Sequence, residues 1–288
     1  MTKFEKTVRE SKPTKVEPIK HSKFGAMKAT YTNGMAAVVK PQRDVSPFDR
    51  PMQRGLLIST QPAREVAFYK LAQMLAFDDV VPETLLIMHD GKQASAQIFT
   101  PTVHLHQLQP MLLKKEELGQ EGWVSLLQET CRAVPKRLWV RLLILDIIAG
   151  SRDRHINNVG VVVKMKEPRP EYSILGWDNA CTFGATFAKY HNVFHKYLFK
   201  YAVQLEAHWD MLEKFTLVDF TRVLGELLNP IDVAQAYERL QFMLEYPYRL
   251  PWRVMSQGHD DSDSFPSYSA WFGNHATTEP VNSLVVAI

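Results

Sequence analysis

The chain has 288 residues, 45% hydrophobic and 23% charged, enough apolar content to bury one large core or two lobes. Its 34 basic and 31 acidic residues leave a net charge of +3, too even a balance to single out nucleic acid as a partner. Two cysteines, a charged beginning from Met1 to Glu10 and apolar runs that all stop short of a membrane span argue against a disulfide framework, a zinc quartet, a secretory signal or a transmembrane segment, and point to the cytoplasm.

Residues 1–20 are rich in Lys, Glu, Pro and Thr and are expected to form a flexible arm. Two strands follow, Phe24 to Tyr31 and Met35 to Lys40, joined through Asn33-Gly34, a strong hairpin signal. A polar, Pro-containing connection from Gln42 to Gly55 leads to a helix that Thr60 can cap and Pro62 can start, running from Ala63 to Leu75. Steps of three and four from Glu65 reach Phe68, Tyr69 and Ala72, so this carboxylate projects from a largely apolar face and needs a partner. Strands from Glu83 to Met88 and Ala94 to Phe99 are expected about a turn at Asp90-Gly91.

After Thr100-Pro101 the pattern is mostly helical: about 115–133, then 135–149 from Pro135, then long stretches between about 192 and 246 broken at Asn229-Pro230 and Tyr246-Pro247. A pair of short strands, Val159 to Lys164 and Tyr172 to Trp177, interrupts it. The expected architecture is α+β and bilobal: a strand-rich lobe at 21–101, a helical lobe at 102–256 and a loosely held tail at 257–288.

The loop from Ser151 to Asn158 concentrates an Asp, two Arg, a His and two Asn between two buried elements, and Asp178 follows the second short strand. Taken singly, Lys40 reads as a solvated strand-end lysine and Glu65 as a surface helix carboxylate. Taken in order with Asp153, Asn158 and Asp178, they supply what phosphoryl transfer from ATP demands. Lys40 provides a fixed cation for the phosphates and Glu65 a carboxylate to hold it. Asp178 and Asn158 provide oxygens for magnesium, and Asp153 a carboxylate to orient an attacking hydroxyl and take its proton.

Asp153-Arg154-His155 with Asn158 five residues after the aspartate resembles the D-R-H-x-x-N loop of phosphatidylinositol 3- and 4-kinase-like members of the protein-kinase fold. Leu145-Asp146-Ile147-Ile148 and Val39-Lys40-Pro41 are especially similar to type II phosphatidylinositol 4-kinases, to actin-fragmin kinase and, more loosely, to HipA-like kinases. The resemblance spans about residues 23–180. It implies a kinase-like fold with ATP and magnesium: Lys40 on the phosphates paired with Glu65, Asp153 as catalytic aspartate, Asn158 and Asp178 on the metal.

It implies further that Asp146 orients the loop arginines, that Arg154 and His155 belong to the catalytic loop, and that His155 contacts the transferring phosphate or substrate or braces the loop. Gln97 to Thr100, with Phe99, become a hinge at adenine. Gly25 is the hairpin glycine set against the nucleotide, although no G-x-G-x-x-G surrounds it. Asp178 precedes Asn179-Ala180 where protein kinases usually have Phe-Gly, and no Ala-Pro-Glu closes an activation segment.

The expected activity is transfer of the gamma-phosphate to a hydroxyl, on a protein Ser or Thr in preference to an inositol lipid. Adenylylation and a silent nucleotide-binding role are the alternatives. His104 and His106 alternate like strand residues without a third metal ligand and read as structural. The series Tyr190, Phe194, Tyr197, Leu198, Tyr201 has helical spacing and reads as core. Composition does not indicate an oligomeric state.

Overall fold

The computed structural model describes residues 1–19, 22, 25–43, 60–104, 134–151, 153–154, 158–164, 171–184 and 206–245. The expected helix at 115–133, the aromatic series from Tyr190 to Tyr201, the tail, His106 and His155 lie outside the described residues. Among the described residues, no helix is long and apolar enough to cross a membrane.

The first part is a five-stranded antiparallel sheet: β1 (Lys15–Pro18), β2 (Met27–Thr30), β3 (Ala36–Pro41), β4 (Thr84–His89) and β5 (Lys92–Ile98), in the order β1-β2-β3-β5-β4. Both sequence hairpins form. β2 and β3 meet with Thr30 opposite Ala36, and Gly34 takes the left-handed conformation at φ +77°. β4 and β5 close on His89 opposite Lys92, with Asp90 and Gly91 both at positive φ, the backbone a two-residue hairpin turn requires.

Residues 1–20 differ from the expected arm. α1 (Lys3–Glu10) is a helix and β1 pairs with β2. The physical reason is an amphipathic pattern too short to stand out: Phe4 is buried, Val8 packs beside it, and together they cover Ala29, Tyr31, Ala37, Val39, Leu85, Ala94 and Ala96. Thr2 caps the helix by accepting from Glu5 N–H, and Asn33 of the hairpin donates to Thr7 Oγ1 at 2.7 Å. An eight-residue helix is marginal alone; this one is held by the sheet.

That apolar cluster lies on one face of the sheet, so strand alternation sends Lys40, Ser95 and Gln97 to the other. The register agrees: Lys40 stands opposite Ser95, and Val38 opposite Gln97. Across that second face packs α2 (Gln61–Met74), capped by Thr60 with Pro62 in its first turn. Sequence and structure agree here to within two residues.

The second part is built around α3 (Lys136–Ile148), which is buried on nearly every side. A helix apolar all round belongs in a core. Around it lie α4 (Trp209–Leu212), α5 (Leu217–Leu224) and α6 (Pro230–Glu245), and a second sheet of β6 (Val103–His104), β7 (Val159–Lys164) and β8 (Glu171–Gly176). α5 begins with a capping box made by Thr216 and Asp219. The apolar face of α2, including Phe68, Leu71 and Ala72, joins the same core as Trp139, Leu145, Phe220 and Leu240. α2 is thus anchored in the second part although the chain reaches it through the first.

Candidate active site

Three elements deliver the central residues. Lys40 comes from the end of β3, Glu65 from the first turns of α2, and Asp178 from the turn just after β8. Lys40 Nζ lies 2.6 Å from Glu65 Oε1 and 3.1 Å from Asp178 Oδ1, the latter 138 residues away in sequence. Glu65 is 2% exposed, Lys40 half-buried. Burial by itself disfavours the charged lysine, but the carboxylates of Asp178 and Glu65 outweigh it and push its pKa above the ordinary lysine value, so the ammonium persists at neutral pH. One lysine thus bridges carboxylates delivered by two different elements.

The loop after α3 is set by Arg154. Its guanidinium is 1% exposed and spans four partners. Nη2 donates to Asp146 Oδ1 at 2.9 Å and to Asn179 Oδ1 at 2.5 Å, while Nε reaches both oxygens of Asp146 at 3.1–3.2 Å. Nη1 donates to the carbonyls of Asn158 at 3.1 Å and Trp177 at 2.7 Å. The expectation that Asp146 orients a loop arginine is met at Arg154. A Cβ on Gly176 would lie 3.2 Å from this guanidinium and 2.7 Å from Leu142, so glycine gives the arginine its room.

Asn158 Nδ2 donates to Asp153 O at 2.5 Å, which closes the loop on itself and leaves Oδ1 as the amide atom suited to a cation. Trp177 N–H donates to Asn158 O at 3.0 Å. Asp153 is half-buried. Asp178 sits at φ +57°, a left-handed conformation that a non-glycine residue keeps only where its surroundings impose it.

Three more of the expected residues, Gln97, Phe99 and Gly25, belong to the first sheet and its turns. Gln97 is buried and its Nε2 donates to Thr84 Oγ1 at 3.1 Å. The N–H groups of Ile98 and Phe99 donate to Glu83 O and Ala36 O, both at 2.8 Å, so these two amides serve the sheet. The Phe99 ring is partly exposed and carries Lys28 Nζ 4.1 Å from its centroid. Gly25 lies in the turn between β1 and β2 at φ +62°, with the Arg43 guanidinium against it. The register that sets Met27 opposite Val39 carries this turn toward the Lys40 end of β3.

Three contacts escaped sequence reasoning. Arg64 is 2% exposed and its Nε donates to Ala180 O at 2.6 Å, across 116 residues. Asn179, noted only as a departure from Phe-Gly, is an acceptor for Arg154. Phe68 of α2 lies 5.5 Å from the Arg154 guanidinium. The one available signal was Asn179 itself, since a buried polar residue in place of an aromatic one asks for a buried donor.

Does the site suit a divalent cation? Among the described residues, Glu65 Oε2 is buried with no hydrogen-bond partner, beside a lysine that a second carboxylate also contacts. Carboxylate and amide oxygens are what a hard cation takes. The residues present fit such an ion.

A small antiparallel sheet with a helix on each face, joined to a larger helical part and linked to it by a lysine held between carboxylates, is a protein-kinase-like fold. Among solved structures the chain is similar to the Golgi casein kinase with Mn and ADP bound, at TM-score 0.51 and 14% identity over 88% of this chain and 75% of that one. A second structure of Golgi casein kinase gives TM-score 0.50 and 14% identity over 83% and 74%. Hydra Fam20 with sugar gives TM-score 0.52 and 12% identity over 84% and 87%. No family model matches the chain, and no curated protein matches it in sequence.

Proposed function

We propose that the chain is an ATP- and divalent-cation-dependent phosphotransferase acting on a hydroxyl, with a protein Ser or Thr as acceptor. The observation that carries this reading is Lys40 held between Glu65 and Asp178. A buried Glu65 carboxylate needs Lys40 for its own burial, but a second carboxylate brought to the same lysine from 138 residues on is what a triphosphate and its cation would use. That a structure of the same fold holds Mn and ADP supports the choice of nucleotide and of a divalent ion, with magnesium our choice of ion.

In this reading Lys40 holds the phosphates and Glu65 holds Lys40. Asp178 and Asn158 hold the cation, which when bound offsets phosphate charge. The turn containing Gly25 covers the phosphates, and the end of β5 with Gln97 and Phe99 meets the base. Asp153 orients the acceptor hydroxyl and accepts its proton as the oxygen bonds to the gamma-phosphorus and the bond to ADP breaks. His155 serves the same loop. Arg154 is engaged by Asp146, Asn179 and two carbonyls, so its part is to position the loop rather than to touch substrate. The division into lobes near residue 101 and a cytoplasmic location belong to the same proposal.

The test is incubation with gamma-labelled and, separately, alpha-labelled ATP against protein, inositol-lipid and small-molecule acceptors. Gamma label on protein Ser or Thr is expected. Label on lipid would move the acceptor class, alpha label on protein would mean adenylylation, and nucleotide binding with no turnover would leave a silent binding protein.

A further inference from the structure

The Asp178 turn has an unusual requirement: its aspartate is in a left-handed conformation, yet its carboxylate must stay within reach of Lys40. Two buried arginines hold the backbone on either side of it. Arg154 donates to the carbonyl of Trp177, the residue before, and Arg64 donates to the carbonyl of Ala180, two residues after. Arg64 precedes Glu65 on α2, and α2 is fixed through Phe68, Leu71 and Ala72 in the large core. Beyond Ala180 the chain is fixed again at Phe183, which is buried in the same core and whose N–H donates to Ala149 O at 2.6 Å, so Arg64 ties to α2 the short stretch between Trp177 and Phe183. The links close a ring: Arg64 to Ala180, along the chain to Asp178, to Lys40, to Glu65 and back to Arg64.

We propose that Arg64 is a positioning residue that hangs the Asp178–Ala180 turn on α2 and so presents the Asp178 carboxylate to Lys40 and to the cation. Its catalytic consequence rests on the phosphotransferase reading; its structural consequence does not. A guanidinium suits the task because a charged N–H donor makes a strong bond to a carbonyl.

The test uses the full chain with Arg64→Met and Arg64→Lys. Arg64→Met is expected to raise the magnesium concentration giving half-maximal transfer by about tenfold and to lower kcat by about tenfold, with the KM for ATP changed by less than about threefold; Arg64→Lys is expected to recover part of both. Amide hydrogen exchange without nucleotide is the second readout: in Arg64→Met, protection across 178–184 is expected to fall by about tenfold while the β4–β5 hairpin keeps its own. Unchanged magnesium dependence, or protection lost equally in both parts of the molecule, would overturn the proposal. If the wild-type chain transfers no phosphate, the functional reading falls, and exchange at 178–184 alone decides the role of Arg64.

Discussion

Replacing Asp178 with asparagine is expected to reduce phosphate transfer by about three powers of ten while leaving the chain folded, the size of effect that follows from losing several kcal/mol of charge stabilisation at a cation site. Asparagine is the informative choice. Like aspartate, it tolerates the left-handed backbone found at this position, so the change removes the charge and spares the turn. Asp178 Oδ1 is one of two carboxylate contacts to Lys40, and Glu65 supplies the other. The lysine is therefore expected to stay in place. Steady-state rates with labelled ATP, alongside a thermal unfolding curve, check the prediction; a rate within about tenfold of wild type would remove Asp178 from the cation site.

The largest loss of stability is expected at Arg154. Its guanidinium is 1% exposed and joined to Asp146, Asn179 and the carbonyls of Asn158 and Trp177. Arg154→Met leaves the Asp146 carboxylate buried without its arginine and two carbonyls without this donor. Breaking a buried ion pair from one side costs about 3–5 kcal/mol. Denaturant unfolding measures it as a lower midpoint. Replacing both partners, Arg154→Met with Asp146→Leu, is expected to recover part of the stability, because well-packed apolar groups replace a buried pair at little cost. Activity is not expected to return, since the carbonyls of Asn158 and Trp177 lose the donor that ties them to one another through Arg154. Activity restored along with stability would reduce Arg154 to a packing residue.

Much of the frame is legible in the sequence because its signals are local. Asn33-Gly34 and Asp90-Gly91 fix two hairpins by backbone conformation alone. Thr60 and Pro62 start α2 where capping rules put it, and Pro135 starts α3. Burial of Asp146 on a helix that is apolar all round demands a cation, and Arg154, eight residues on, provides it. The ordered spacing of Lys40, Glu65 and Asp178 anticipates the contacts that the fold makes among them.

What escaped is long-range or spread over few residues. Phe4 and Val8 form an apolar stripe of two, which means nothing until the face made by Ala29, Ala37 and Ala96 exists to receive it. Arg64 looks like an ordinary helix former beside Glu65; its reach to Ala180 depends on how α2 crosses the sheet. Alternation along β5 orients Gln97 correctly, yet only the register reveals that its amide is taken up by Thr84. Pairing across strands and packing between elements decide such contacts, and neither is written in local propensity.

The central claim is that Lys40, Glu65, Asp153, Asn158 and Asp178 form one phosphoryl-transfer site. Single-turnover transfer from gamma-labelled ATP, comparing the wild-type chain with Asp153→Asn in the presence of magnesium, tests it most directly. The account predicts transfer by the wild type and a rate about 10²–10⁴ lower in the variant, the usual contribution of a proton-accepting group, with nucleotide still bound. Equal rates in the two proteins would contradict it.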